Sequence, residues 1–380
     1  MVTGATSPLL TAPIGPTIIR LAAPNMISML VTMATLMAEA WYVGQLGTEA
    51  LAGLALGFPM MMLVMMLSAG SFGGTITGAV ARLLGAGDRE GAEVLAIHAV
   101  LMMLLLAGLC SAIFLLGGRG IYSLLSGRGM VLEQALAYSN VLFAGCVSLW
   151  LTNALAAIVR ATGHMSVAAK CLLTGSLLQV FVAGGLVFGW GPLPGMGIAG
   201  AAAGIIFGNA IAAVLLLNFL VNRCVELRLR MTSLRFEAAP IVKLLKLGSL
   251  AAVNPISTTA TVMVITGFVA HLGVDVLAGY GIGARLELLL VPMIFGFGYA
   301  FYGVSLCLYF ASQGAGRVLW PVIASVLRVV VIVMGCIAVA REPGATAAQF
   351  FWVIAAALAA QGLMTGAAIR LGAWRVGLAP

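Results

Sequence analysis

Apolar stretches of about 20 residues, the length a helix needs to cross the hydrocarbon core of a bilayer, recur from residue 17 to residue 370 of this chain with only short polar breaks. No soluble domain fits in those breaks, which confines the chain to a polytopic bundle of membrane helices. Composition agrees, with 62% hydrophobic and 8% charged residues among 380 and a mean hydropathy of +1.15. A soluble globular chain carries about 25% charged residues. The lipid bilayer is therefore the expected surroundings.

Hydrophobic length, with breaks at glycine, proline and charge, predicts ten helices, all-α, near 17–45, 51–84, 93–117, 132–161, 167–190, 197–222, 241–270, 277–314, 318–340 and 346–370. An excess of 19 basic over 11 acidic residues is a possible sign of nucleic acid, but the placement of the charges points to topology instead. With ten spans, fifteen Lys and Arg residues, Arg328 among them, fall on one side and only Arg119, Arg128, Arg285 and Arg341 on the other. The positive-inside rule then puts both termini and the loop "NRCVELRLRMTSLRFEAAP" in the cytoplasm, with no nucleic-acid partner. That loop, 223–240, divides a six-helix lobe (17–222) from a second lobe (241–380), and residues 1–16 form a cytoplasmic leader. The leader lacks the basic region and cleavage site of a signal peptide, so the first helix is expected to remain in the mature protein.

The six cysteines lie mostly in apolar helices without CxxC spacing, and His98, His164 and His271 show no zinc spacing. Neither a disulfide framework, a metal site nor a cofactor is expected. No HExxH, GxSxG or paired catalytic aspartates are present, so the chain reads as no enzyme, with no catalytic residues.

The chain repeats itself. "LGTEALAGLALG" aligns with "LGVDVLAGYGIG", placing Leu46, Gly47, Leu51, Ala52, Gly53 and Gly57 on Leu272, Gly273, Leu277, Ala278, Gly279 and Gly283 at a constant offset of 226. Six helices separate the copies, so the halves run in the same direction, as in transporters with parallel repeats. Further on, "RATGHMSVAA" resembles "QGAGRVLWPV" with Gly163 on Gly316, an offset of only 153. The second half thus lacks 226 − 153 = 73 residues, about two helices, with the seam near "FGFGYAFYGVSLC". The expected architecture is six helices plus four.

These residues resemble the MATE (multidrug and toxic compound extrusion) transporters. The resemblance rests on "LAAPNM" in the first helix, an acid four residues before "VGQLGTEALAG", "ARLLGAGDREGAE", "RATGHM", "AGYGIGARLE", "FGFG" and "YFASQGAGRVLWP", which together cover nearly the whole chain in order. It implies a bacterial inner (plasma) membrane antiporter with two lobes around a central cleft, and a monomer is expected. Such an antiporter exports amphipathic organic cations against an inward flow of H+ or Na+. The sequence departs from the family in having ten spans instead of twelve. Where members often carry an Asn and an Asp one turn apart in the fifth helix, this chain has Gln179 and Ala183.

Glu39 sits about six residues from the outer end of its helix, roughly 9 Å deep at 1.5 Å per residue. An unpaired charge at the bilayer centre costs at least about 2.5 to 3.5 kcal/mol, so this acid is expected to face the protein interior. There a carboxyl whose surroundings change can take up a proton on one side and release it on the other. Glu39, with Gln179 and Asn153, is the candidate cation-coupling set, against the plain alternative of a satisfied buried acid. Pro24 is a hinge candidate, because it removes a backbone donor from the first helix. Tyr42, Tyr138, Asn209, Asn254, Thr258 and Glu287 are candidate cleft residues, for which interhelical hydrogen bonding is the rival account. Arg285 and Glu287, two apart, take different helix faces, so Arg285 is expected to snorkel to the outer interface while Glu287 points inward. "GAGDREGAE" lacks the ending of a phosphate loop and reads as a turn, "GIAGAAAG" as a helix-packing seam, and His98 as a satisfied core histidine. The rival readings of the whole are a transport-dead or partner-dependent shortened protein and a lipid-linked saccharide flippase.

Overall fold

The computed structural model describes residues 14–125, 127–190, 195–229, 238–271, 273–294, 308–314, 318–340, 347–368 and 370. Helices occupy the predicted places of the first lobe: α1 (Ile14–Gly44), α2 (Thr48–Gly85), α3 (Arg89–Leu124), α4 in two halves (Gly129–Ala144 and Cys146–Ala161), α5 (Met165–Phe188) and α6 (Ile198–Asn222). After the inter-lobe loop come α7 (Ala238–Ala270), α8 (Val274–Ile294), α9 (Leu319–Ala340) and α10 (Ala347–Ala368), with a short helical stretch at 308–314. Among the described residues, α2, α3, α5 and α6 are each long and apolar enough to cross a membrane alone, and α4 makes a fifth span when its halves, bent by 49°, are taken together.

α3 runs seven residues beyond its expected end at 117. "GGRG" is a weak helix former, but the buried Tyr122 anchors the extra turns in the core. α2 carries a π-helical turn at Met66–Phe72, where Ser68 Oγ donates to the Val64 carbonyl at 2.7 Å. The α4 bend falls at Gly145, and the Phe143 carbonyl beside it accepts from Ser111 Oγ of α3 at 2.6 Å.

The sequence repeat is physical. Gly47 and Gly273, offset by 226, both have positive φ (111° and 120°), which glycine adopts without a Cβ clash. Each carbonyl accepts the first i→i−4 hydrogen bond of the next helix, from the amide of its fourth residue, Leu51 at 3.2 Å and Leu277 at 3.1 Å. Where α2 and α8 cross, a Cβ at Gly281 would lie 2.5 Å from Ala55 Cβ, and 281 − 55 is again 226. Equivalent positions of the two lobes therefore meet, as a two-fold relation between the lobes requires.

The expected seam, 295–307, lies outside the described residues. Its two flanks both dock on α2, one through Gly281 and the other through Gly314, whose carbonyl accepts from the Arg82 guanidinium. Tyr309 completes the join: Pro255 inside α7 has no N–H to offer the Ala251 carbonyl four residues back, and Tyr309 OH donates to that carbonyl at 2.8 Å.

α5 and α6 form the closest seam of the first lobe. A Cβ at Gly204 would lie 2.5 Å from Ala183 Cβ, and one at Gly208 would lie 2.6 Å from the Gly175 carbonyl oxygen. The "GIAGAAAG" stretch is thus a packing face of small residues. The "GAGDREGAE" stretch is a turn with Gly87 at φ 79°, and Asp88 caps α3 by accepting from the Gly91 amide at 2.8 Å.

Candidate functional site

Glu39, five residues before the end of α1, is 3% exposed. Tyr138 of α4 donates its hydroxyl to Glu39 Oε1 at 2.7 Å, and the same hydroxyl lies 3.2 Å from Met61 Sδ of α2. Glu39 Oε2 has no hydrogen-bond partner. Facing this pair from the second lobe is Arg285 of α8, 2% exposed, with its guanidinium 4.7 Å above the Phe58 ring. None of the three Arg285 side-chain nitrogens has a hydrogen-bond partner. Its charge acts through space on Glu39, and no ion pair shorter than 4.0 Å joins it to Glu39 among the described residues.

The expectation that Arg285 snorkels outward is therefore corrected. It lies 11 residues into α8, roughly 16 Å along the helix, which is too deep for its stem to return the charge to the interface. Packing of α8 against α2 holds it in the core. A cation–π contact supplies about 0.5 to 2 kcal/mol against a desolvation penalty of several kcal/mol per buried ion. The long-range attraction to Glu39 is the remaining favourable term.

The predicted coupling set separates into two neighbouring sites. Asn153, Gln179 and Asn209 do come together, lining a cavity of about 140 Å³ between α1, α2, α4, α5 and α6 with Thr32, Thr35 and Ser176. Asn153 Nδ2 donates to Ser68 Oγ at 2.8 Å across from the π-helical turn, and Thr152 Oγ1 ties α4 to α6 through the Asn209 carbonyl at 2.7 Å. Glu39 and Tyr138 stand behind the cavity wall formed by Leu36 and Met61. Tyr42 does not line this cavity. Its ring packs edge-on against Phe188 of α5, with centroids 5.7 Å apart, above Gly184.

In the second lobe Thr258 of α7 accepts from Arg328 at 3.1 Å. The Arg328 guanidinium also donates to Gln361 Oε1 at 3.1 Å, and Gln361 Nε2 donates to Ser325 Oγ at 3.1 Å. Arg328 lies in the middle of α9 and is buried, so it is not one of the cytoplasmic flanking charges. The helix boundaries carried that signal, since position 328 falls ten residues into an apolar run. Asn254 Oδ1 is buried without a partner, while the Asn254 carbonyl accepts from Thr258 Oγ1 at 3.1 Å. Glu287 lies on α8 with its side chain outside the described residues, and α1 continues as a helix through Pro24, whose side chain is likewise outside them. His98 is a satisfied core histidine, its Nδ1 2.7 Å from the Val94 carbonyl.

Residues 24–183 match the MatE family model, the stretch that holds Glu39, Tyr138, Asn153 and Gln179. The fold overlays the outward-facing conformation of a multidrug resistance MATE family transporter with a TM-score of 0.77 at 19% identity, covering 97% of this chain and 98% of that one. The first lobe is similar in sequence to the MatE family, and the chain shares the fold of MATE transporters. Among MATE structures, one in the straight conformation gives a TM-score of 0.78 at 18% identity, covering 94% of this chain and 96% of that one. Curated relatives include an FAD transporter of Shewanella oneidensis, 27% identical over 75% of this chain and 63% of that protein. A probable multidrug resistance protein NorM of Thermotoga maritima is 24% identical over 74% and 61%. The chain spans about three-fifths of the length of these relatives. With its membrane-length apolar helices and the MatE match over the first lobe, it is an integral membrane protein of the bacterial plasma membrane.

Proposed function

We propose that this MATE-like protein exports small amphipathic organic compounds by alternating access, driven by a cation that Glu39 takes up and releases. The observation that carries the reading is the buried Glu39, with one oxygen held by Tyr138, one unpartnered, and the Arg285 charge of the opposite lobe facing it. An ionised Glu39 attracts Arg285 and draws the lobes together. A neutralised Glu39 leaves that attraction out, so ion occupancy biases a two-state lobe arrangement.

A proton fits this site better than sodium. Hard metal cations take several oxygen ligands, whereas the groups acting on Glu39 are the Tyr138 phenol, which also touches the Met61 thioether, and the Arg285 guanidinium. The adjoining cavity of about 140 Å³ has room for about four waters at about 30 Å³ each. Drug-sized ligands fill about 300 to 1,000 Å³, so substrate entry calls for the lobes to part, with Pro24 as the candidate hinge.

The substrate class follows from which charge the cleft presents. Glu39 favours organic cations, the expectation from the sequence. Arg285, buried with three unpartnered nitrogens, favours an anionic substrate, and the relative described as an FAD transporter gives that second reading weight. Reconstitution decides. Proteoliposomes holding the purified chain should move ethidium under an imposed pH gradient. Movement of FAD with none of ethidium selects the anionic reading, and movement of neither under a pH or sodium gradient identifies a shortened protein that needs a partner.

A further inference from the structure

We propose that His164, Cys224 and Glu226 form a binding site for a zinc-class transition-metal ion at the end of the first lobe where the inter-lobe loop begins. An imidazole nitrogen, the Cys224 sulfur and a Glu226 carboxylate oxygen all lie within 4.8 Å of one another. Cys224 Sγ is 3.6 Å from Glu226 Oε2, and His164 Nδ1 is 3.9 Å from the same oxygen. Zn2+ bonds to sulfur at about 2.3 Å and to nitrogen and oxygen at about 2.0 to 2.2 Å in a tetrahedron, which sets its ligand atoms about 3.3 to 3.7 Å apart. The trio therefore needs shifts of about an ångström or less to close on an ion.

The ligands are held by the fold. His164 opens α5, its ring packs edge-on against Phe219 with centroids 5.2 Å apart, and its Nδ1 lies 3.1 Å from Thr162 Oγ1. Cys224 is fixed where α6 ends, its amide donating to the Phe219 carbonyl at 2.9 Å. The sulfur is buried, while the His164 and Glu226 side chains are 36% and 45% exposed and leave a way in. Sequence spacing could not show the site, because position 164 and positions 224 and 226 meet only through the packing of α5 on α6.

A mixed imidazole, thiolate and carboxylate set selects zinc and its neighbours over Mg2+ or Ca2+, with water free to take the fourth position. On binding, the Cys224 thiol bonds to the metal through sulfur and gives its proton to solvent, so the ion with thiolate and carboxylate carries no net charge. The bound ion would staple the α4–α5 turn to the start of the inter-lobe loop, where the Arg228 amide is already held by Glu93 at 3.1 Å.

Cobalt titration of the purified full-length chain in detergent tests the site. One Co2+ per chain should produce a thiolate-to-cobalt charge-transfer band that Zn2+ bleaches. Cys224→Ser should abolish the band, His164→Gln should weaken Co2+ binding by at least about tenfold, and Cys171→Ser should leave it intact. Absence of the band at one equivalent, or its persistence in Cys224→Ser, overturns the proposal. If Cys224→Ser does not yield monodisperse protein, His164→Gln decides alone, and unchanged Co2+ affinity in that variant overturns it.

Discussion

Removing either charge of the inter-lobe pair should cost stability, and removing both should cost less than the two losses combined. Glu39 and Arg285 are 3% and 2% exposed, and their separation exceeds the 4.0 Å of a direct ion pair. At an effective dielectric of about 20, unit charges 4 to about 10 Å apart attract by about 1.5 to 4 kcal/mol. Glu39→Gln leaves Arg285 buried with no counter-charge, and Arg285→Met leaves Glu39 in the same position. Breaking a buried pair from one side typically costs about 3 to 5 kcal/mol, and the double variant carries neither orphan. A thermal and denaturant unfolding cycle on the four detergent-purified proteins should therefore give a coupling energy of about 1.5 kcal/mol or more. Losses that add within about 0.5 kcal/mol, the behaviour of independent sites, refute the claim that the lobes communicate through these two charges.

Gly204→Ala should lower the unfolding midpoint by the equivalent of about 1 to 3 kcal/mol of overpacking, because the new methyl would lie 2.7 Å from Ala183 Cα. Gly279→Ala, where the added carbon meets nothing within 4 Å, serves as the silent control. Arg328→Met should destabilise by about 1 to 3 kcal/mol, because Gln361 Oε1 loses its donor inside the second lobe. Arg328→Met with Gln361→Leu should cost less than Arg328→Met alone.

Much of the fold was legible because lipid imposes a length and a composition on every helix, and because the 226-residue offset fixed how the two copies correspond. Gly47 and Gly273 repeat even in backbone angle. The site was only partly legible. The polarity of Asn153, Gln179 and Asn209 in apolar helices marked the cavity residues, and an acid in an uncharged run marked Glu39. The Arg285 partner was missed because its side was assigned from charge bookkeeping along the chain, whereas its place is set by α8 crossing α2 at Gly281 and Ala55. The placement of Tyr42 was likewise a matter of helix rotation, which hydrophobic runs with little periodicity do not record. The His164, Cys224 and Glu226 cluster depends on contacts between loops about 60 residues apart, which no linear spacing encodes.

The most direct test of the account is pH-gradient-driven transport by Glu39→Gln in proteoliposomes, measured beside the unaltered chain at equal protein incorporation. Because the amide keeps the shape of the side chain but cannot exchange a proton, the account predicts normal insertion and loss of gradient-driven ethidium movement. Ethidium movement at the unaltered rate in Glu39→Gln would contradict Glu39 as the coupling residue.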